Sequence, residues 1–313
     1  MKEKLKIGTR GSKLAIIQTQ LVKAEIEAKF PELSCELVTI KTKGDKIIDT
    51  PLSRIGGKGL FVKEIEEALL KGEIDLAVHS MKDMPTELPD GLHIGAVPKR
   101  EDPRDLFVSL SYTDIENLPE GARIGTSSLR RVSQLLHLRP DLEIISIRGN
   151  IDTRIKKIKK DNLYGIVVAA AAVLRLKLKD FLSKPIPIAK FIPAAGQGAL
   201  AIETRLNDKK TNNIISAIDD KKTRIEIEAE RAFLKFLQGG CQVPIGVFAK
   251  INDNFIEIEG VVGSLDGKRL FRDSIKDNVI NYKKAGESLA KKLLNDGADR
   301  ILKEIYGNGE NKP

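Results

Sequence analysis

Residues 7–12 of the chain read Ile-Gly-Thr-Arg-Gly-Ser, and the similar stretch Ile-Gly-Thr-Ser-Ser lies at 124–128. In both places a strand pattern comes first and a helical pattern follows, so each predicts a strand, a turn and a helix. A second pair repeats in the same order, because ELVTIK at 36–41 and EIISIR at 143–148 are both predicted strands that end in a basic residue. Two similar α/β lobes are the simplest explanation. Paired lobes place a ligand in the cleft between them.

The sequence around these repeats continues the α/β alternation. Ser12 is predicted to cap a helix that ends before Pro31, and a second helix is predicted over residues 60–71. Residues 74–78, which are apolar except for Asp75, are typical of a strand buried in a parallel sheet. The longest apolar stretch, residues 166–174, is half the length that spans a bilayer and is predicted to be another buried strand.

The last third of the chain has a different pattern. A long amphipathic helix is predicted over 224–237, followed by short strands separated by turns at 252–254 and 265–267, and a closing helix is predicted over about 283–305. These elements indicate a small α+β domain with an antiparallel sheet. The predicted division is lobe 1 at residues 1–98 and 198–216, lobe 2 at 99–197, and a C-terminal domain at 217–313.

Length and composition are those of a soluble globular protein. The chain has 313 residues, with 41% hydrophobic and 31% charged residues, which excludes a disulfide-stabilised miniprotein and disfavours disorder. Cys35 and Cys241 are too few for a disulfide framework, and the first residues do not resemble a targeting segment. We therefore expect a cytoplasmic protein.

Most of the net charge of +9 could be assigned to residues 122–160, which contain ten basic residues, six of them arginines, against three acidic ones. This surplus fits an acidic partner: nucleic acid, anionic lipid or a polyanionic small molecule. No aromatic residue interleaves with the basic ones, which disfavours a single-strand nucleic-acid groove. Arg130 and Arg131 fall at the start of a predicted helix, where like charges need an anionic partner. The lysines at 156–160 are predicted to be solvated.

Two further stretches could carry chemistry. Residues 78–85 (VHSMKDMP) follow a buried strand, where α/β proteins place ligand contacts. Cys241 follows a helix and a double glycine, so an exposed turn is expected there, whereas Cys35 is expected to be a buried packing residue. No cation adjoins Cys241, and composition leaves its reactivity open. The glycine-rich stretches lack phosphate-loop and dinucleotide spacing, and the three histidines are too dispersed to predict a metal site.

Eight segments of the chain occur together, in the same order, in one protein family. They are IGTRGSKLA (7–15), GGKGLFVKEIE (56–66), DLAVHSMKDMP (75–85), IGTSSLRR (124–131), IRGNIDTR (147–154), AAAVLRL (170–176), IPAAGQGALAIE (192–203) and ERAFLKFLQGGCQVPIG (230–246). The chain thus resembles the porphobilinogen deaminase (hydroxymethylbilane synthase) family over essentially its whole length. The resemblance implies two periplasmic-binding-protein-like α/β lobes that flank a cleft, plus the C-terminal α+β domain. Ala201, where glycine is commoner, is a minor departure.

The resemblance implies a transferase of tetrapyrrole (heme) biosynthesis. It would condense four porphobilinogen molecules stepwise, with loss of ammonia, to the linear tetrapyrrole hydroxymethylbilane. The product would grow on a dipyrromethane cofactor that Cys241 holds through a thioether. The thiol would need correct placement more than a lowered pKa, because its partner is a strongly electrophilic pyrrole methylene. A monomer that binds neither nucleic acid nor membrane is implied.

The same resemblance implies the roles of individual residues. Asp83 is the implied catalytic carboxylate, which would stabilise the cation left by loss of ammonia and then take a proton. The implied ligands of the cofactor carboxylates are Ser80, Lys82, Thr126, Ser128, Arg130, Arg131 and Arg154. The implied substrate-binding residues are Arg10, Ser12, Arg148 and Arg175, with Phe61 packing over the pyrroles and Gln197 near the lobe crossing. Residues 42–58 resemble the family's mobile loop.

Two other functions fit part of the sequence. A non-catalytic two-lobed receptor for a small polycarboxylate would explain the lobes and the arginines, but neither Cys241 nor Asp83. A duplex-DNA-binding protein would explain only the charge, and its affinity should fall steeply with salt.

Overall fold

The first part of the chain forms a five-stranded sheet in the computed structural model, which describes residues 3–46, 62–179, 181–240 and 243–310. Its elements are β1 (Glu3–Arg10), α1 (Lys13–Lys29), β2 (Leu33–Ile40), α2 (Lys43–Lys46), α3 (Lys63–Leu70), β3 (Leu76–Ser80) and β4 (Leu92–Ala96). β1 pairs in parallel with β2 and β3. A strand from later in the chain runs antiparallel between β3 and β4 and completes the sheet.

The middle of the chain forms a second five-stranded sheet. Its elements are β5 (Asp105–Ser109), β6 (Arg123–Gly125), α4 (Leu129–Leu138), β7 (Glu143–Ile145), α5 (Ile151–Lys160), β8 (Gly165–Ala169), α6 (Ala170–Leu176) and β9 (Leu182–Pro185). The late strand of the first sheet is β10 (Leu200–Arg205). The first sheet has the order β2-β1-β3-β10-β4 and the second β7-β6-β8-β5-β9, with the same pattern of parallel and antiparallel pairs. The prediction of two similar α/β lobes is therefore confirmed.

The glycine of each Ile-Gly-Thr repeat leaves room for a neighbouring isoleucine. A Cβ atom at Gly8 would lie 2.3 Å from Cδ1 of Ile74, and one at Gly125 would lie 2.8 Å from Cδ1 of Ile147. Either contact is too short for a side chain at the glycine, so a larger residue would force the isoleucine out of the core. In each lobe the glycine thus allows an apolar side chain to pack closely against the strand.

The end of the chain forms a small α+β unit, as predicted. Its elements are α8 (Lys221–Phe236), β11 (Ile245–Asn252), β12 (Phe255–Gly263), β13 (Leu270–Asn278), α9 (Tyr282–Leu293) and α10 (Asp299–Glu310). The preceding helix, α7 (Lys209–Ser216), packs against β4 and β10 of the first sheet. The three strands form an antiparallel sheet in the order β11-β12-β13. Phe233 of α8, Ile258 of β12 and Leu289 of α9 are fully buried in the core that joins the helices to this sheet.

Side-chain caps determine where two helices begin. Oγ of Ser12 accepts a hydrogen bond from the backbone N–H of Ala15 at 3.3 Å, so α1 begins after Ser12 as predicted. Oδ1 of Asp220 accepts from the N–H of Thr223 at 2.7 Å. Because of this cap, α8 begins three residues earlier than the predicted helix over 224–237.

Several predicted elements have different bounds in the structure. The prediction of one strand over residues 166–174 is wrong, because the strand ends at Ala169 and α6 begins at Ala170. Alanine favours a helix, and an apolar run does not by itself distinguish a strand from a buried helix. The closing helix over 283–305 is divided into α9 and α10 at Gly297, whose φ of 116° does not fit a helix. The strand over 143–148 ends at Ile145, and residues 60–61 of a predicted helix lie outside the described residues.

The two segments that connect the lobes lie against each other at Gly198. The N–H of Glu101 donates to the carbonyl of Gly198 at 3.2 Å, and Nε of Arg100 donates to the carbonyl of Gln197 at 2.8 Å. Gly198 has φ +90°, and a Cβ atom there would lie 2.4 Å from the carbonyl oxygen of Glu101. Only glycine fits this close approach.

No helix in the described ranges is long and apolar enough to cross a membrane.

Candidate active site

The turn after β3 carries two of the predicted site residues. β3 ends at Ser80, and a single 3-10 turn, Met81–Asp83, follows it. Met81 is 2% exposed and anchors the turn in the core. Lys82 and Asp83 are half-buried on the same turn, and Nζ of Lys82 donates to Oε1 of Gln197 at 3.4 Å. The turn therefore directs a charged side chain toward the segment that connects the lobes.

Gln197 is fully buried and joins residues from both sheets. Its Nε2 donates to the carbonyl of Pro103 at 2.8 Å and to Oδ1 of Asp105 at 3.1 Å. Its Oε1 accepts from Lys82 and, at 3.5 Å, from Nη2 of Arg131. The side chain thus bridges Lys82, which follows the first sheet, and Arg131, which begins a helix of the second.

Asp105, at the start of β5, is a buried anion between two arginines. Oδ2 of Asp105 accepts from Nη1 of Arg130 at 2.6 Å, and Oδ1 accepts from Nε of Arg131 at 2.8 Å. Burial alone would raise the pKa of Asp105, but the charges of Arg130 and Arg131 outweigh it and hold the pKa well below its usual range. Asp105 therefore supplies part of the negative charge that the sequence predicted beside these arginines.

The two arginines differ in their other contacts. Arg130 donates Nη1 to the carbonyl of Ile192 at 2.8 Å, and its buried Nε has no hydrogen-bond partner among the described residues. Arg131 donates Nη1 to the carbonyl of Val167 at 3.0 Å, and burial lowers its pKa. Arg130 thus points mainly into the protein, whereas Arg131 faces Gln197 and Lys82.

Asp83 lies within electrostatic range of cations from both lobes. Burial, and then the charge of Arg131, lowers the pKa of Lys82 to about 8. Burial, and then the charges of Arg131 and Arg148, lowers the pKa of Arg154 to about 10. The charge of Asp83 raises both values. We call this set the cationic cluster: Lys82, Asp83, Asp105, Arg130, Arg131, Arg148 and Arg154. It has five positive and two negative charges, a surplus of three positive charges.

The lobes also touch near the starts of their helices. Nζ of Lys13, the first residue of α1, lies 3.7 Å from Oδ2 of Asp152 in the first turn of α5. α1 packs against α6 of the other lobe. Arg175 of α6 donates Nη2 to the carbonyl of Gly198 at 2.7 Å, and burial lowers its pKa. These contacts bring the start of α1, near Arg10 and Ser12, close to the lobe that carries Arg154.

The remaining predicted residues lie at strand ends and helix starts. Oγ of Ser80 accepts from Nε2 of Gln18 at 3.0 Å. Oγ1 of the buried Thr126 accepts from the N–H of Ser128, which precedes α4, at 3.3 Å. Arg10 is the last residue of β1. Cys241, Phe61 and residues 47–58 of the predicted loop lie outside the described residues.

Other parts of the basic segment stabilise the fold or face solvent. Nε of Arg139 donates to Oδ1 of Asp141 at 2.7 Å, and Nη1 of Arg123 donates to a backbone carbonyl at 2.9 Å. Lys156 and Lys160 on α5 are exposed, in agreement with the predicted solvated face. The charge of this segment is therefore divided between the cationic cluster, structural contacts and solvent.

Sequence reasoning missed three buried charged residues at the site: Asp105, Arg100 and Glu230. Nη1 of Arg100 lies 2.6 Å from Oε1 of Glu230, and Oε2 of Glu230 accepts from the N–H of Gly196 at 2.7 Å. The pair ties α8 to the segment that connects the lobes. The sequence does contain a sign of this pair, because Glu230 lies among apolar residues of a predicted helix. A charged residue is rarely buried in such a position unless it is paired with an opposite charge.

Cys35 and His79 are buried in the protein interior. Cys35 is 2% exposed, and burial raises the pKa of its thiol to about 11, so its prediction as a packing residue is confirmed. Nε2 of His79 lies 3.1 Å from Oε2 of the buried Glu203. Within the described part of the chain, no three metal-ligating side chains are grouped to hold an ion.

Comparison with known proteins identifies the family of the chain. The family model "Porphobilinogen deaminase, dipyromethane cofactor binding domain" matches residues 5–213, and "Porphobilinogen deaminase, C-terminal domain" matches residues 224–295. The porphobilinogen deaminase of Syntrophus aciditrophicus is 51% identical over 306 residues, which cover 98% of this chain and 100% of that protein. That of Geobacter sulfurreducens is 50% identical over 303 residues, which cover 97% of this chain and 95% of that protein. The chain belongs to the porphobilinogen deaminase family.

Proposed function

We propose that the chain is a transferase that condenses four porphobilinogen molecules stepwise, with release of ammonia, to the linear tetrapyrrole hydroxymethylbilane. The observation that carries this proposal is the surplus of three positive charges in the cationic cluster around Asp83. Every pyrrole unit of the substrate and product carries an acetate and a propionate, so both are polycarboxylates. Arginine is the side chain best suited to bind carboxylates through paired hydrogen bonds.

The residues of the cluster fit a dipyrromethane cofactor with its carboxylates. Arg154 lies among cations that lower its pKa, and such a group is unfavourable until an anion neutralises it. The proposed carboxylate ligands are Lys82, Arg131 and Arg154, supported by Ser80, Thr126, Ser128 and Arg130, with Cys241 as the covalent anchor. When bound, the dipyrromethane supplies the primer to which substrate units are added.

Asp83 is the proposed catalytic carboxylate. Its charge already acts on Lys82 and Arg154, so it lies beside the groups that would hold the ligand's carboxylates. Loss of ammonia from the substrate leaves a positive charge that the pyrrole nitrogen shares, and a nearby carboxylate stabilises that charge. The same carboxylate can then accept the proton that is released when the new carbon–carbon bond forms.

A second set of residues is proposed to bind the substrate and the growing chain. These are Arg10, Ser12, Phe61, Arg148 and Arg175. Gln197, which the sequence assigned to the same set, is fully buried and is proposed instead to hold Lys82 and Arg131 in place. The proposed lobes are residues 1–98 with 198–216, and 99–197, and residues 217–313 form the proposed C-terminal domain that carries Cys241. We propose that the protein acts in the cytoplasm as a monomer, without nucleic acid or membrane as a partner.

Incubation of the purified protein with porphobilinogen tests this function. We expect one ammonia to be released per porphobilinogen consumed, and a linear product of four pyrroles to form. Arg154→Met should lower kcat/KM by about tenfold to a hundredfold, since hydrogen bonds to a charged group contribute about 1.5–3 kcal/mol. Lys156→Met is the matched control, because Lys156 lies on the same helix but is exposed. Binding of porphobilinogen without ammonia release would instead indicate a receptor.

A further inference from the structure

The helix that leads toward Cys241 is fastened to the segment just after Asp83. Nη2 of Arg231, on α8, donates to the carbonyl oxygen of Pro85 at 2.7 Å and to that of Thr86 at 3.2 Å. These acceptors are two and three residues beyond Asp83. Because both are backbone atoms, the contact fixes the path of the chain after the 3-10 turn rather than one side chain.

Neighbouring residues on the same face of α8 hold the helix against this turn. Ile227, four residues before Arg231, is 1% exposed and belongs to the same apolar cluster as Met81 and Met84. Those two methionines flank Lys82 and Asp83 in the sequence. Glu230, beside Arg231, is paired with Arg100. The helix and the turn are therefore packed together, and Arg231 supplies the polar contact at the edge of the packing.

The C-terminal end of α8 is also held in place. Oη of Tyr306 donates to the carbonyl oxygen of Gln238 at 2.9 Å and to that of Leu237 at 3.4 Å. Gln238 has φ +52°, which ends the helix, and two glycines then precede Cys241. The helix is thus held both where it contacts the turn of Asp83 and where the chain leaves it toward Cys241.

We propose that Arg231 is a positioning residue, which sets the place of the Asp83 turn relative to α8 and so to the residue that anchors the cofactor. This inference rests on the proposed function. The guanidinium of Arg231 bonds backbone carbonyls, not substrate, so its loss should leave substrate affinity unchanged. A displacement of about 1 Å between reacting groups can lower a rate about a hundredfold. The expected effect is therefore on kcat.

Three variants test this role. Arg231→Met keeps the length of the side chain but removes its donors, and Arg231→Lys restores a positively charged donor. Lys235→Met is the matched control, because Lys235 lies one turn further along α8 and pairs with Glu87 at 3.3 Å, with both side chains more than half exposed. For each protein we would measure the fraction that carries the cofactor, the thermal midpoint, and kcat and KM for porphobilinogen per cofactor-loaded molecule.

We expect Arg231→Met to load its cofactor, keep KM within about twofold and lose tenfold to a hundredfold in kcat. Arg231→Lys should recover part of kcat, and Lys235→Met should match the unmodified protein. A lower thermal midpoint with kcat unchanged per loaded molecule would show a purely structural role and overturn the inference, as would a larger KM at constant kcat. If the unmodified protein neither carries the cofactor nor releases ammonia, the proposed function itself is wrong, and the two failures are distinguishable.

Discussion

Replacement of Asp83 by asparagine is expected to lower turnover of porphobilinogen about a thousandfold while the fold and the bound cofactor remain. A carboxylate about 4 Å from a developing positive charge contributes about 4 kcal/mol at an effective dielectric constant near 20, which corresponds to about a thousandfold in rate. An amide of the same shape keeps the packing of the turn but supplies neither the charge nor a proton acceptor.

Binding of carboxylates should survive this substitution. Asp83 raises the pKa of both Lys82 and Arg154, so it offsets their charge, and its loss increases the positive surplus of the cationic cluster from three charges to four. KM for porphobilinogen should therefore not rise. Asp90→Asn is the matched control, since Asp90 is exposed a few residues further along the same segment. Turnover by Asp83→Asn above a tenth of the unmodified rate would remove Asp83 from the catalytic role.

Replacement of Asp105 by asparagine is expected to destabilise the protein by about 3–5 kcal/mol, because it leaves buried charges without their partner. Asp105 is fully buried, and Arg130 and Arg131, which bond to it, are 4% and 6% exposed. Both guanidiniums remain charged in the variant, and an amide oxygen cannot neutralise them. The loss should appear as a lower midpoint in urea denaturation of the cofactor-loaded protein.

An exposed ion pair provides the control for this measurement. Nζ of Lys303 lies 3.0 Å from Oδ2 of Asp299 on α10, where both side chains face solvent. Asp299→Asn should leave the denaturation midpoint unchanged, since exposed pairs contribute little to stability. Equal midpoints for Asp105→Asn and Asp299→Asn would mean that Asp105 does not neutralise the two arginines.

The sequence predicted two similar α/β lobes because its repeats have a physical cause. Gly8 of β1 and Gly125 of β6 lie on equivalent strands and each leaves space for an apolar side chain, so the same short pattern recurs in both lobes. Boundaries inside apolar stretches were not predictable in this way. The change from strand to helix at Ala170 lies within a run that is apolar on both sides, where periodicity carries no signal.

The arginines of the site were predictable as a group, but their individual partners were not. Position at a helix start indicated that Arg130 and Arg131 need an anion. Asp105 was not predictable as one such anion. Its contact with the arginines joins the start of β5 to α4, which are some 25 residues apart in the chain. The backbone contacts of Arg231 leave no pattern in the sequence at all. Such contacts require the packing of whole elements, which local residue patterns do not encode.

The intact mass of the denatured protein, purified from a cell that makes porphobilinogen, shows whether Cys241 carries a dipyrromethane cofactor. We expect a mass above that of the polypeptide by two pyrrole units, and a Cys241→Ser variant at the mass of the polypeptide alone. An unmodified mass for the natural sequence, or an adduct that persists in Cys241→Ser, would contradict it.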